Sequence, residues 1–129
     1  MERPGSPEWA TRGIADVFVQ VLHFEGQGEA AWQLAGEADC SPGTWLVLAD
    51  ARAATHPDDA VAVYRRAAEG HVERKSRRGY DEAVKLLERA RDVLAAAGRE
   101  GRFRAIALDF RVHHGRKSNL MRLFEERGW

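Results

Sequence analysis

The stretch Arg78–Gly98 constrains the fold of this chain more than any other part of the sequence. Its apolar residues recur at offsets of three and four, so on a helix they share one face. Charged residues occupy the opposite face, and Gly98 suits the left-handed conformation that ends many helices. Because a helix gains most of its stability by packing its apolar face, we expect other helices to flank this one. The apolar stripe comprises Tyr80, Ala83, Val84, Leu87, Ala90, Leu94 and Ala97.

Shorter segments with the same periodicity fill the rest of the chain. Alanine, leucine, arginine and glutamate dominate from Ala60 onward without β-branched runs, and this favours an all-α protein. Pro42 and Pro57 suit the first positions of two helices, and Ser41 and Ser118 are candidate caps. Five to seven helices are predicted, with stripes centred on Ile14–Leu22, Glu29–Ala38, Trp45–Ala53, Ala60–Val72, Tyr80–Ala97, Phe103–Phe110 and Leu120–Phe124.

Short connectors between these segments predict that neighbouring helices are antiparallel. Hairpin after hairpin is typical of α-solenoids, and the spacing of Tyr80, Ala83, Leu87 and Ala90 resembles the second helix of a tetratricopeptide repeat. We therefore predict an all-α fold of antiparallel helical hairpins, a tetratricopeptide-like short α-solenoid. A single domain is expected over residues 14–129, preceded by a flexible arm, residues 1–13, rich in proline, glycine and charge.

The predicted core consists of large and small apolar side chains on these stripes. Large aromatic side chains on an apolar face contribute most of the buried area of a small domain. The residues assigned to the core are Trp32, Trp45, Tyr64, Tyr80, Ala83, Leu87, Ala90, Leu94, Phe103 and Phe110.

No motif in the sequence indicates catalysis. A glycine-rich phosphate loop, a nucleophile elbow and a His-Glu-x-x-His motif are all absent, so we predict neither an enzyme nor a cofactor. Cys40, His71, His113 and His114 lack metal-ligand spacing, and adjacent histidines on a helix point about 100° apart. No metal site is therefore expected.

Several features predict a cytoplasmic protein without a membrane partner. The longest apolar run is too short to span a bilayer, and Met1–Gly13 lacks the apolar core of a signal peptide. The only cysteine, Cys40, excludes an internal disulfide.

Charge is distributed unevenly along a chain whose formal net charge is zero. Residues 1–60 contain three basic and ten acidic side chains, a net charge of −7, and residues 61–129 contain seventeen and ten, a net charge of +7. The basic clusters can be solvated charge near helix ends, or they can contact phosphates or an acidic partner. The candidate contact residues are Arg74, Lys75, Arg77, Arg78, Arg111, Arg116 and Lys117.

Three segments carry a family resemblance. They read WLVLADARAATHPDDAVAVYRRAAE from Trp45, GYDEAVKLLERARDVLAAAG from Gly79 and RFRAIALDFRVHHGRKSNLMRLFEERG from Arg102. Together they resemble the C-terminal helical region of bacterial SWIM zinc finger proteins, over about two thirds of the chain. That family is defined by a Cys-x-Cys…Cys-x-His zinc site, which a chain with only Cys40 cannot build. The resemblance implies a helical accessory module without the zinc site.

Three functions follow as hypotheses. The first is a non-catalytic helical interaction module, a scaffold or adaptor whose partner is another protein. The second is a nucleic-acid-binding accessory domain that uses the basic C-terminal half. The third is a self-associating structural module in which the acidic half of one copy meets the basic half of another, giving a homo-oligomer.

Overall fold

The computed structural model describes residues 8–38 and 40–129, with side chains from residue 14 onward. Within these ranges the chain forms seven helices and no strand, which confirms the all-α prediction. The helices are α1 (Glu8–Phe24), α2 (Gly28–Ala38), α3 (Pro42–Arg52), α4 (Pro57–Glu73), α5 (Arg77–Ala96), α6 (Glu100–His114) and α7 (Ser118–Glu126).

Helix α1 begins earlier than the sequence pattern predicts. It starts at Glu8 and so includes the second half of the segment predicted as an arm, while residues 1–7 lie outside the described part of the chain. Gly13 lies inside this helix. A glycine costs a helix interior about 1 kcal/mol relative to alanine, and neighbouring residues can offset that cost.

The chain divides into two compact units, which we describe separately. The first unit ends at Ala51, and the second unit is Arg52–Trp129. The prediction of one domain over residues 14–129 stays a prediction.

In the first unit, α1 packs against α2 around a small core. Trp32 and Trp45 pack against this core and remain partly exposed. Their two rings contact each other edge to face, with centroids 5.2 Å apart and an angle of 89° between the ring planes. The buried residues of this core are Val19, Ala31, Ala35, Cys40 and Leu48.

The larger apolar face of α1 is not the face that packs in the first unit. Ala15, Val19 and Leu22 join the core, whereas the side chains from Ile14 to Phe24 on the other face are 48–92% exposed. Amphipathic periodicity identifies an apolar face, but it does not identify the surface that covers that face. The exposed side chains are Ile14, Val17, Phe18, Val21 and Phe24.

The second unit is built around α5. This helix packs against α4, α6 and α7, and contacts between neighbouring helices are consistent with helical hairpins. Trp129 packs edge to face on Phe103 and Phe124, with ring centroids 4.9 and 5.2 Å away. The closer likeness to tetratricopeptide repeats stays a prediction. Of the residues assigned to the core, the buried ones in this unit are Tyr64, Tyr80, Ala83, Leu87, Ala90, Leu94, Phe103 and Phe110.

Two serines at helix starts differ in what they do. Ser76 is the N-cap of α5, and its Oγ accepts a hydrogen bond from the Gly79 N–H at 3.0 Å. Ser118, in contrast, is the first residue of α7, and the cap position is held by Lys117 with no side-chain capping bond. The prediction that Ser118 caps the last helix is therefore wrong, because the helix begins one residue too early for it.

We expect Ser76→Ala to lower the free energy of unfolding of the second unit by about 1 kcal/mol, because a Gly79 N–H loses its acceptor. Ser118→Ala is the matched control and should change that free energy by less than about 0.5 kcal/mol. Urea unfolding followed through the amide NMR signals of α5 reports on this unit alone. Equal losses in the two variants would contradict the assignment of the cap.

Candidate functional site

Two connectors of the second unit carry most of the residues predicted to contact a partner. Arg74 and Lys75 follow α4, Arg77 and Arg78 begin α5, and the remaining pair lies between α6 and α7. We call these six side chains the basic connector surface: Arg74, Lys75, Arg77, Arg78, Arg116 and Lys117.

The structure brings part of the two clusters together. Lys75 from one connector and Arg116 and Lys117 from the other line a single cleft of about 370 Å³. Tyr80 and the first residues of α7 complete the lining, which contains no carboxylate. We call this the three-cation cleft. Three positive charges in one concave surface attract anions, since opposing charge is absent from its walls.

A second cleft of about 400 Å³ lies beside the start of α5. It is lined by Arg74 and Arg78 together with His71, Ser76, Gly79 and Glu82. The Glu82 carboxylate supplies an opposing charge and lies 3.6 Å from Lys85 Nζ. Arg77 lines neither cleft.

Arg111 stands apart from the basic connector surface. Its guanidinium donates a hydrogen bond to the carbonyl oxygen of Trp129 and lies 5.9 Å from the centre of the Phe124 ring. These contacts occupy the guanidinium within the second unit. The structure therefore places Arg111 in the packing of the C-terminal residues.

Unpaired cations are concentrated on the basic connector surface. Over the described residues, eight lysine and arginine side chains of the second unit make no hydrogen bond or ion pair, and six of them are on this surface. The other two are Arg104 and Arg122. Exposed ion pairs contribute about 0–1 kcal/mol each to stability. Stability alone therefore does not explain why the unpaired cations are concentrated on the basic connector surface.

Elsewhere in the second unit, contacts between polar side chains join α4 to α6. Arg102 donates a hydrogen bond to Asp58 at 2.6 Å near the start of both helices. Arg65 pairs with Asp109 further along. His114 Nε2 lies 2.8 Å from Glu69 Oε2 near their ends. Because the partners follow the same order along both helices, α4 and α6 run in the same direction.

A groove of about 860 Å³ lies between α4 and α6, and its lining includes Val61, Leu94 and Ile106.

The pKa of Asp58 is lower than usual. Desolvation raises this pKa, but the hydrogen bond and charge of Arg102, and then of Arg99, outweigh that effect. A lowered folded-state pKa stabilises the fold above the unfolded value and loses this contribution as pH falls through the folded value. The Asp58 contacts therefore remain intact at neutral pH.

Two of the three histidines considered as metal ligands make other contacts. His113 Nδ1 lies 2.8 Å from the Asp109 carbonyl oxygen, and His114 pairs with Glu69. In the described ranges, no three side chains of histidine, cysteine, aspartate or glutamate come together as a metal site. Cys40 is buried in the core of the first unit.

Sequence reasoning missed the neutral groups of the three-cation cleft. Tyr80, Ser118 and Asn119 line this cleft, although the sequence pattern predicts Tyr80 only in the core and Ser118 only as a cap. A tyrosine on an apolar stripe carries a polar tip, and this is the one sequence signal that points to a second role.

Comparison with known proteins identifies no relative. No protein-family model, no curated protein and no solved structure matches this chain. The resemblance to SWIM zinc finger proteins therefore stays a prediction. In the described part of the chain, no helix has both the length and the apolar character to cross a membrane.

Proposed function

We propose that the protein is a non-catalytic helical interaction module, and that its basic connector surface binds an acidic segment of a partner protein. The observation that carries this proposal is the concentration of unpaired cations in two connectors that share a cleft. The second unit contains eighteen basic and twelve acidic residues, so it carries a net charge of +6 that favours an anionic partner. A cytoplasmic location is part of the same proposal.

Carboxylates fit this surface better than bases of a nucleic acid. Single-stranded nucleic acids bind largely by stacking their bases on exposed aromatic side chains. The aromatic residue that lines the three-cation cleft, Tyr80, is 8% exposed and so presents little ring surface for stacking. An acidic segment needs only charge and hydrogen-bond donors, which Arg74, Arg77 and Arg78 supply where α4 is joined to α5.

Nucleic-acid binding through the backbone is the second candidate function. The absence of a carboxylate from the lining of the three-cation cleft favours it, because phosphates bind where cations converge without opposing charge. Self-association through the acidic first part of another copy uses the same surface and is a further form of the protein-binding proposal.

The experiment compares binding of a fluorescent oligoglutamate peptide and a fluorescent single-stranded oligonucleotide, measured by anisotropy as salt is raised. We expect peptide binding at low salt, and we expect Arg77→Ala/Arg78→Ala to weaken it about tenfold, which is 1.4 kcal/mol. Arg104→Ala/Arg122→Ala removes two unpaired cations outside the connectors and should change affinity less than twofold.

Three outcomes would count against the proposal, and each has a different meaning. Stronger binding of the oligonucleotide, with affinity falling steeply as salt rises, supports the second candidate function. Equal effects of the two double variants would show that total charge, and not the basic connector surface, controls binding. Absence of binding to both probes at low salt would remove both functions.

A further inference from the structure

We propose that the three-cation cleft is a binding site for the phosphate group of a phosphate monoester. This inference goes beyond the proposed protein partner, because it concerns one small anionic group. It stands on the geometry of the cleft formed by Lys75, Tyr80, Arg116 and Lys117.

The charges of the cleft suit a dianion. Lys75 comes from the connector after α4, and Arg116 and Lys117 come from the connector after α6, so the cations reach the cleft from two segments. None of the three side chains has a hydrogen bond or ion pair among the residues that the structure describes. A monoester carries close to two negative charges above a pKa of about 6, and it can bridge several cations at once.

Tyr80 provides a polar group that lacks a partner. The residue is 8% exposed and lines the cleft, and its hydroxyl makes no hydrogen bond among the described residues. Among the described residues, the Tyr80 hydroxyl is not one of the fully buried polar atoms that lack a hydrogen bond. The Tyr80 hydroxyl is therefore in contact with solvent, on a residue that lines the cleft. A phosphate oxygen would accept a hydrogen bond from the Tyr80 hydroxyl.

The start of α7 adds backbone donors. Helix α7 spans nine residues, its first intrahelical bond runs from the Met121 N–H to the Lys117 carbonyl oxygen, and no side chain caps it. The first N–H groups of such a helix lack intrahelical acceptors and carry the positive end of the helix dipole. Ser118 and Asn119, in this first turn, line the cleft. An anion bound there would take the place of the missing cap.

The backbone of Lys75 turns at the end of α4, and the turn brings this residue to the cleft. Its φ is +52°, which makes it the one described residue other than glycine in the left-handed region. Lys75 directly follows the C-cap Arg74, and its N–H donates to the Val72 carbonyl oxygen at 3.0 Å, so the left-handed turn ends α4. This conformation is found where Lys75 lines the cleft with Arg116 and Lys117.

The test is an NMR titration of the full chain with inorganic phosphate, at constant ionic strength maintained with chloride and at pH 7.5. We expect saturable shifts of the Ser118 and Asn119 amide signals. Arg116→Ala should weaken binding at least tenfold. Tyr80→Phe keeps the packed ring and removes only the hydroxyl, so it should weaken binding about threefold while the spectrum stays folded.

A second pair of probes distinguishes the source of the phosphate. A short oligonucleotide with a 5′-phosphate is compared with the same oligonucleotide without it. Tighter binding of the phosphorylated form identifies a nucleic-acid end, whereas saturable binding of inorganic phosphate with no preference between the oligonucleotides identifies a small phosphorylated ligand. Both results support the site, because both require a phosphate group in the cleft.

Failure of this inference can be told apart from failure of the proposed function. Arg77→Ala/Arg78→Ala should lose affinity for the acidic peptide and retain phosphate binding, since neither residue lines the three-cation cleft. Shifts that do not saturate would overturn the phosphate site, and so would wild-type affinity in both Arg116→Ala and Tyr80→Phe. Neither result bears on peptide binding through Arg77 and Arg78.

Discussion

Leu87→Ala is expected to lower the free energy of unfolding of the second unit by about 3 kcal/mol. Leu87 is 0% exposed and lies on the stripe of α5, the helix that packs against α4, α6 and α7. Truncation removes apolar contacts and leaves a cavity that the surrounding helices fill only in part. Domains have a total stability of about 5–15 kcal/mol, so this one change should remove a large share of it.

The matched control is another leucine of the same unit. Leu108 is 62% exposed on α6, and Leu108→Ala should change the free energy of unfolding by less than about 0.5 kcal/mol. Both variants are compared by urea unfolding, followed through the amide NMR signals of α5. A loss below about 1 kcal/mol in Leu87→Ala would show that α5 is not the centre of this unit.

Gly79→Ala should lower the same free energy by about 2 kcal/mol. A Cβ at this position would lie 2.5 Å from the His71 carbonyl oxygen and 3.0 Å from Ser76 Oγ. The carbonyl belongs to the backbone of α4, so the clash is relieved only if the start of α5 moves away from the end of α4. The same movement would weaken the Ser76 cap.

Gly70→Ala provides a control with the opposite sign. Gly70 lies in α4, and no atom is within 4 Å of an added Cβ. Alanine should therefore raise the free energy of unfolding by about 0.5–1 kcal/mol, because it has the higher helix propensity. Melting temperatures measured by circular dichroism should shift in opposite directions. Two shifts of the same sign would contradict the close approach at Gly79.

Gly79 also links stability to the proposed sites. It lines the cleft that contains Arg74 and Arg78, and it is the third residue of α5, the helix that follows the connector with Lys75. The close approach of α5 to the His71 carbonyl oxygen therefore holds the basic connector surface in place. We expect variants at Gly79 to weaken anion binding as well as folding, whereas Leu108→Ala leaves both unchanged.

Much of the fold could be predicted from residue order. The stripe from Tyr80 to Leu94 is buried as its spacing predicts, and Pro57 begins α4. The two basic clusters could also be located, because a connector is recognised by where helical periodicity stops. These features depend on neighbours three or four residues apart, and that distance is what helical periodicity describes.

The contents of the candidate site could be predicted only in part. The sequence identifies Lys75, Arg116 and Lys117 as cations near helix ends, but it does not show that they share a cleft while Arg111 contacts Trp129. It also gives Tyr80 a place in the core without showing that its hydroxyl lacks a partner. Such facts depend on which helix faces meet and at what register.

Residue order alone predicts that this protein is helical, where most of its helices lie and which connectors are basic, because helical periodicity and helix-end chemistry act over one or two turns. Which arginines are paired, which face of α1 is covered and which cations converge became known only from the packed helices. Pairs such as Arg65 with Asp109 join residues far apart in the chain. Their proximity results from the packing of α4 and α6 against α5, and no local pattern encodes that arrangement.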